Sequence, residues 1–294
     1  MAPNQRLCQN VPACCICGAK PRLHSLYCPR CAKLAYGGRN DGMGARKKAL
    51  QQAWNKERQC FVCYYTGAML EMVDRHSPWY RCFDHRTPGN AKDLVLTTRA
   101  INALKSGLTD KEFMAILKEM VRHWEEMTPF DVNVVEFKYW HRNTRPSRYD
   151  EVAPGKISRA GISHDGICVV CAGKAAPHHQ TCARCLKFVT KSHEKTARRM
   201  ALKGAWSAEK GGFICAYTGV TLNDTDRRSP WYVSFDHKTP KKKGDLQVVA
   251  YFINIMKAEL SDEEFRAFVK EMVKHWTEGS QFNRDIISFK YWHR

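Results

Sequence analysis

Apolar residues recur at helical spacing through LTDKEFMAILKEMVRHW (108–124), where Phe113, Ile116, Leu117, Met120, Val121 and Trp124 fall on one stripe. Such a stripe predicts an amphipathic helix that buries one face; it belongs to the core and carries no chemistry. Thr109 and Glu112 have capping-box spacing, which marks the start of the helix. LSDEEFRAFVKEMVKHW (260–276) repeats the pattern, with Ser261 and Glu264 in the capping positions. Upstream, ARKKALQQAWNKE (45–57) and KTARRMALKGAWSAEK (195–210) set Leu50 and Trp54, or Leu202 and Trp206, four residues apart. That spacing predicts basic helices with one packing face and lysine and arginine on the other. A C-x-Y-T-G turn at Cys63 or Cys215 leads into a short aromatic strand, WYRCFDH or WYVSFDH. LVLTTRAINALK (94–105) and LQVVAYFINIMK (246–257) read as a strand end running into a short helix. FKYWHR, at 137–142 and 289–294, is rich in strand formers and predicts an edge strand or a partner contact.

These elements come in pairs because the chain is written twice. RHSPWYRCFDHRTP (75–88) returns as RRSPWYVSFDHKTP (227–240), a displacement of 152 residues that all eight tryptophans obey. A repeat of this length is a duplicated domain, since solenoid units recur every ~20–50 residues. NTRPSRYDEVAPGKISRAGISHD (143–165), rich in proline, serine and arginine, reads as a linker long enough to let two domains straddle a ligand. The expected organisation is a cysteine module (1–35), a domain (36–142), the linker, a second cysteine module (166–190) and a second domain (191–294). The fold class expected is α+β with pseudo-two-fold symmetry, a monomer acting as a covalent pseudo-dimer.

Charge adds a partner. Lysine and arginine number 48 against 29 acids, a formal net charge of +19 over 294 residues. Such an excess in a folded, aromatic-containing chain points to a polyanion, nucleic acid foremost. No apolar run approaches the ~18 residues of a membrane span, and the start lacks a signal-peptide core. We therefore expect a soluble intracellular protein of a prokaryotic or phage-infected cytoplasm, a nucleus or an organelle, with no membrane partner.

Cysteine spacing supplies a metal. Cys14-x2-Cys17 and Cys28-x2-Cys31, then Cys168-x2-Cys171 and Cys182-x2-Cys185, form two quartets at identical spacing. Two C-x2-C knuckles complete a four-thiolate shell for Zn2+ with no open position, which predicts two structural zinc sites. Cys60, Cys63 and Cys82 have counterparts Gly212, Cys215 and Ser234, so they read as buried or vestigial, and Cys8 and Cys15 as bystanders.

One polar constellation stands apart in each half: Asp84-His85 with Asp93 and Asn102, and Asp236-His237 with Asp245 and Asn254. A carboxylate suits a hard divalent cation, an imidazole suits a general base, and an asparagine can add a neutral oxygen ligand. Together these are parts for activating water against a phosphodiester.

At these residues the chain resembles the HNH, or ββα-metal, nucleases: CYYTG from Cys63, then Asp84-His85-Arg86-Thr87-Pro88, Asp93-Leu94, and Asn102 with Lys105. The second copy reads CAYTG from Cys215, Asp236-His237-Lys238-Thr239-Pro240, Asp245-Leu246, and Asn254 with Lys257. With its four-cysteine modules the chain is similar to zinc-containing HNH homing and restriction enzymes. The resemblance implies His85 and His237 as bases and Asp84, Asn102, Asp236 and Asn254 as ligands of Mg2+ or a similar ion in each half. It implies Lys105 and Lys257 as phosphate contacts. Asp93 and Asp245 stand where the family has an asparagine that orients the base. The basic run Lys241-Lys242-Lys243 is a further expected DNA contact. The expected activity is metal-dependent double-strand cleavage of DNA by a homing endonuclease of a mobile element or phage. A restriction endonuclease, and a non-catalytic zinc-stabilised DNA- or RNA-binding protein, are the alternatives.

Overall fold

A computed structural model describes residues 13–22, 25–36, 42–140, 166–177, 179–189 and 194–292. The expected linker and Cys8 lie outside the described residues. The fold is mixed helix and strand (α+β), with a four-cysteine cluster in each half of the sequence. No helix among the described residues is long and apolar enough to cross a membrane.

In the first half, α1 (Pro29–Tyr36) and α2 (Met43–Ala53) precede a two-residue ribbon, β1 (Trp54–Asn55) with β2 (Cys60–Phe61). A hairpin follows, β3 (Arg81–His85) antiparallel to β4 (Leu94–Thr98), and runs directly into α3 (Arg99–Lys105) and α4 (Asp110–Glu126). The second half repeats this order as α5 (Ala183–Val189), α6 (Lys195–Ala205), β5 (Trp206–Ser207), β6 (Gly212–Phe213), β7 (Val233–His237), β8 (Leu246–Ala250), α7 (Tyr251–Lys257) and α8 (Asp262–Glu278). Each long helix opens on its capping box: Glu112 N–H donates to Thr109 Oγ1 at 3.2 Å, and Glu264 N–H to Ser261 Oγ at 3.2 Å. Phe113, Ile116, Leu117 and Met120 are fully buried, as their spacing requires. Trp54 and Trp206 leave the helical pattern and open β1 and β5 instead.

The β3–β4 register pairs Arg81 with Thr98 and His85 with Leu94, so the eight-residue loop 86–93 closes directly after the histidine. Asn90 N–H donates to Thr87 O at 3.0 Å, with Pro88 and Gly89 at the corner and Gly89 at φ +79°. That is the positive φ of the third residue in a type II turn. The same turn in the second half places Lys241 at φ 66°.

The compact units do not follow the two halves of the sequence. One comprises Met1–Leu117 with Ala267–Arg294, the other Lys118–Arg266. The chain leaves the first unit within α4 and returns to it within α8. In the first unit Trp79 packs edge-on against Phe282 and Phe289, at 6.1 and 5.4 Å, with the Arg284 guanidinium 4.5 Å from its ring. The Trp276 indole donates to Tyr65 O at 2.8 Å. In the second unit Trp231 meets Phe130 and Phe137, at 5.9 and 6.0 Å, and the Trp124 indole donates to Tyr217 O at 2.7 Å. Each half thus completes its core with the tail of the other. The strand alternative for FKYWHR is not realised: Phe137 and Phe289 take positive φ, and Trp140 N–H and Trp292 N–H close turns onto their carbonyls. Those turns bury the Phe289 and Trp292 rings and leave Phe137 and Trp140 half-buried, so the described part of the segment packs within the chain and forms no edge strand.

Candidate functional site

Each cysteine quartet is built from a turn and a helix start. Gly18 N–H donates to Cys14 O at 2.9 Å, which brings Cys14 and Cys17 to one side, while Cys28 and Cys31 flank the first turn of α1. Pro29 opens that helix, where its missing N–H costs nothing. In the second quartet Ala172 closes the turn on Cys168 and Cys182 precedes α5. All four sulfurs of each set lie within 4.8 Å of one another, with Cys17 Sγ 3.6 Å from Cys28 Sγ and Cys171 Sγ 3.5 Å from Cys182 Sγ. A tetrahedral zinc with Zn–S bonds of about 2.3 Å has sulfur–sulfur edges of about 3.8 Å, so both quartets fit the ion. Burial opposes the charge of Cys14 and Cys168, but surrounding backbone N–H groups draw these thiols down to about 7. Burial pushes Cys31 and Cys185 up, so the cation itself must stabilise those thiolates. Among the described residues no other group of three or more Cys, His, Asp or Glu side chains converges this way, so Cys60, Cys63 and Cys82 form no third cluster.

The second candidate centre is the hairpin with its following helix. Successive residues of a strand face opposite sides. On one side of β3, Cys82 and Asp84 meet α3: Asn102 Nδ2 lies 3.1 Å from Cys82 Sγ and Lys105 Nζ lies 3.1 Å from Asp84 Oδ2. On the other side α2 packs on β4 of the hairpin and reaches β3 with the Arg46 guanidinium, 4.5 Å from the Phe83 ring. The second half repeats both sides. Asn254 donates to Ser234 Oγ at 2.8 Å, Lys257 Nζ lies 3.1 Å from Asp236 Oδ1, and Arg198 of α6 lies 4.5 Å from the Phe235 ring. His237 shares the Phe235 side, where its Nε2 is 3.3 Å from Glu194 Oε2 at the start of α6.

The strand therefore separates residues that the sequence suggested would act together. Asp84 and Asn102 lie on the α3 side, Asp236 and Asn254 on the α7 side, whereas His237 lies on the other face. Lys105 and Lys257 are fully buried, so they are not phosphate contacts; this corrects that expectation. Lys105 donates to His85 O at 2.6 Å and stands 3.8 Å from Asp110, and the Tyr65 hydroxyl contacts Asp84 at 2.8 Å and Asp110 at 2.7 Å. In the second half Gln247, which replaces Val95, places its Nε2 2.9 Å from Asp236, Tyr217 and Asp262. Burial pushes the Asp84 and Asp236 carboxyls up against the pull of Lys105 and Lys257, and pushes the Tyr65 and Tyr217 hydroxyls up as well.

A hard divalent cation does not fit this donor set. A lysine ammonium already sits 3.1 Å from each aspartate and neutralises it, and with the asparagine Nδ2 groups donating to Cys82 or Ser234 only a neutral Oδ1 is left to each set. Asp93 and Asp245 serve the loop: Asp93 accepts from Thr87 Oγ1 at 3.1 Å and lies 3.9 Å from Arg86, and Asp245 lies 3.8 Å from Lys242. The carboxylate facing His237 is Glu194. Lys241, Lys242 and Lys243 are exposed on the hairpin loop.

Sequence reasoning missed Tyr65, Asp110, Glu194 and Gln247. Tyr65 with Tyr217 and Asp110 with Asp262 are identical between the two halves, a signal that was open to notice. Glu194 has no such signal, because its counterpart is Gly42. No protein family, curated protein or solved structure matches this chain.

Proposed function

We propose that this chain is a site-specific DNA endonuclease of the HNH type, in which a tandem pair of ββα units, each presenting one histidine, cuts both strands of a duplex. The observation that carries this reading is the hairpin-then-helix unit, present twice, with a histidine closing the first strand and a basic loop beginning at the next residue. Lys238, Lys241 and Lys243 in the second loop supply positive charge near His237, whereas Arg86 in the first loop is already paired with Asp110 at 2.8 Å. The chemistry is hydrolysis: the imidazole takes a proton from water, the water oxygen bonds to phosphorus, and the 3′ oxygen departs with the strand. Cationic side chains on the loop offset the charge of the pentavalent transition state. Structural zinc in the two quartets would hold each basic module in place, and affinity would fall steeply with salt.

A non-catalytic nucleic-acid-binding role is favoured by one feature, the buried Lys105 ammonium at the position a catalytic cation would need. Incubation with supercoiled plasmid and Mg2+ or Mn2+ separates the two. Endonuclease activity predicts cuts that His85→Ala with His237→Ala together abolish; tight binding with no cuts under either ion favours the binding role. Non-identical halves, in which Ala216 replaces Tyr64 and Gln247 replaces Val95 in the second copy, suit an imperfectly palindromic target and a homing role. A short perfect palindrome in cleavage maps would instead indicate a restriction enzyme.

A further inference from the structure

The packing of α6 on the β7–β8 hairpin determines which side chain can reach the second histidine. Arg198 sits over Phe235. One helical turn back along α6, about 6 Å, comes residue 194, and two residues forward along β7, about 6.8 Å, comes His237. The two steps match, so the side chain at 194 arrives at the imidazole. There Glu194 Oε2 meets His237 Nε2 at 3.3 Å, with both side chains partly open to solvent, 24% and 38%.

We infer that Glu194 is the positioning residue for His237, the part that the family resemblance had given to Asp245. This deepens the endonuclease reading and rests on it for its catalytic meaning. A carboxylate accepting the Nε2–H fixes the ring orientation and selects the tautomer whose Nδ1 lone pair can take a proton from water. The proton moves from water to Nδ1, and Glu194 gains none. Asp245 is tied to Lys242 on the loop and shares no ion pair with the imidazole. The same helix-to-strand step in the first half leads from Arg46 over Phe83 to Gly42, which has no side chain, so Glu194 acts on one of the two histidines only.

The test uses the full chain with Glu194→Ala and Glu194→Gln. Nitrogen-15 NMR of the imidazoles should show His237 mainly as the Nε2–H tautomer in the unaltered protein and in Glu194→Gln, whose amide oxygen still accepts. Because a free imidazole also favours Nε2–H, the deciding signal is the hydrogen-bonded proton itself: the downfield Nε2–H resonance of His237 should be lost in Glu194→Ala. An unchanged Nε2–H resonance in Glu194→Ala overturns the inference whatever the activity. On supercoiled plasmid, Glu194→Ala should slow the second cut about 10- to 100-fold through kcat with little change in KM, so nicked circles accumulate. Glu194→Gln should recover most of the rate. Equal rates for both cuts in Glu194→Ala, from a parent that makes both, overturn the inference and leave the endonuclease reading standing. A parent with the expected tautomer that cuts nothing removes the catalytic meaning and the endonuclease reading together.

Discussion

The Lys105 ammonium of α3 lies 3.1 Å from the Asp84 carboxylate of β3, and both side chains are buried. Truncating one member of such a pair strands the other charge. Lys105→Met should cost about 3–5 kcal/mol at pH 7. Burial holds the Asp84 carboxyl above its ordinary range even with Lys105 beside it. A raised folded value means that the neutral carboxyl favours the fold: its contribution is full below about pH 4 and is lost as pH rises through the folded value. Without Lys105 the folded value rises further, so the penalty of Lys105→Met should shrink as pH falls toward 4. Lys105→Met combined with Asp84→Asn should lose that pH dependence. Urea unfolding across this range decides; an equal penalty at both ends would contradict the pair.

Zinc should bind at two ions per chain, and Cys31→Ser or Cys185→Ser should each reduce that to one. Burial raises Cys31 and Cys185 while Cys14 and Cys168 are drawn down to about 7, so protons compete for the thiolates throughout the neutral range and uptake should weaken steadily as pH falls. Metal analysis after dialysis counts the ions, and circular dichroism after chelation should show loss of structure. One ion or none in the unaltered chain would contradict the quartets.

Gly89→Ala should destabilise by about 1 kcal/mol, because φ +79° disfavours any residue with a Cβ even though that Cβ would meet nothing within 4 Å. Lys241→Gly should relieve the matching strain in the second half. Thermal melting of both variants checks the pair of signs.

Exchange of tails makes the linker dispensable for association. A protease site placed within 143–165 and cut after folding should leave two fragments that elute together, because each compact unit contains residues from both. Separation of the fragments in native buffer would contradict the exchange.

Local features were legible in the sequence because they depend on local chemistry. The capping boxes at Thr109 and Ser261, the hairpin ending in a helix, and the cysteine quartets all follow from spacing. What was not legible depends on which surfaces meet. The stripe through Phe113 and Trp124 says that a core exists, not whose: Phe113 packs with Trp276 and Trp124 with Phe265. Lys105 at the end of a short helix reads as a surface cation, and only the placement of Asp84, Tyr65 and Asp110 around it accounts for its burial. Alternation on the strand already implied that Asp84 and His85 part company, and the packing of α2 and α3 on opposite faces realises it.

The most direct measurement of the central claim is the product made from supercoiled plasmid in Mg2+ or Mn2+ by His85→Ala, by His237→Ala and by the unaltered chain, each shown to be folded. The account predicts linear DNA from the parent and nicked circles from either single variant, since each histidine serves one strand. Linear DNA from both single variants, or no cleavage by the parent, would contradict it.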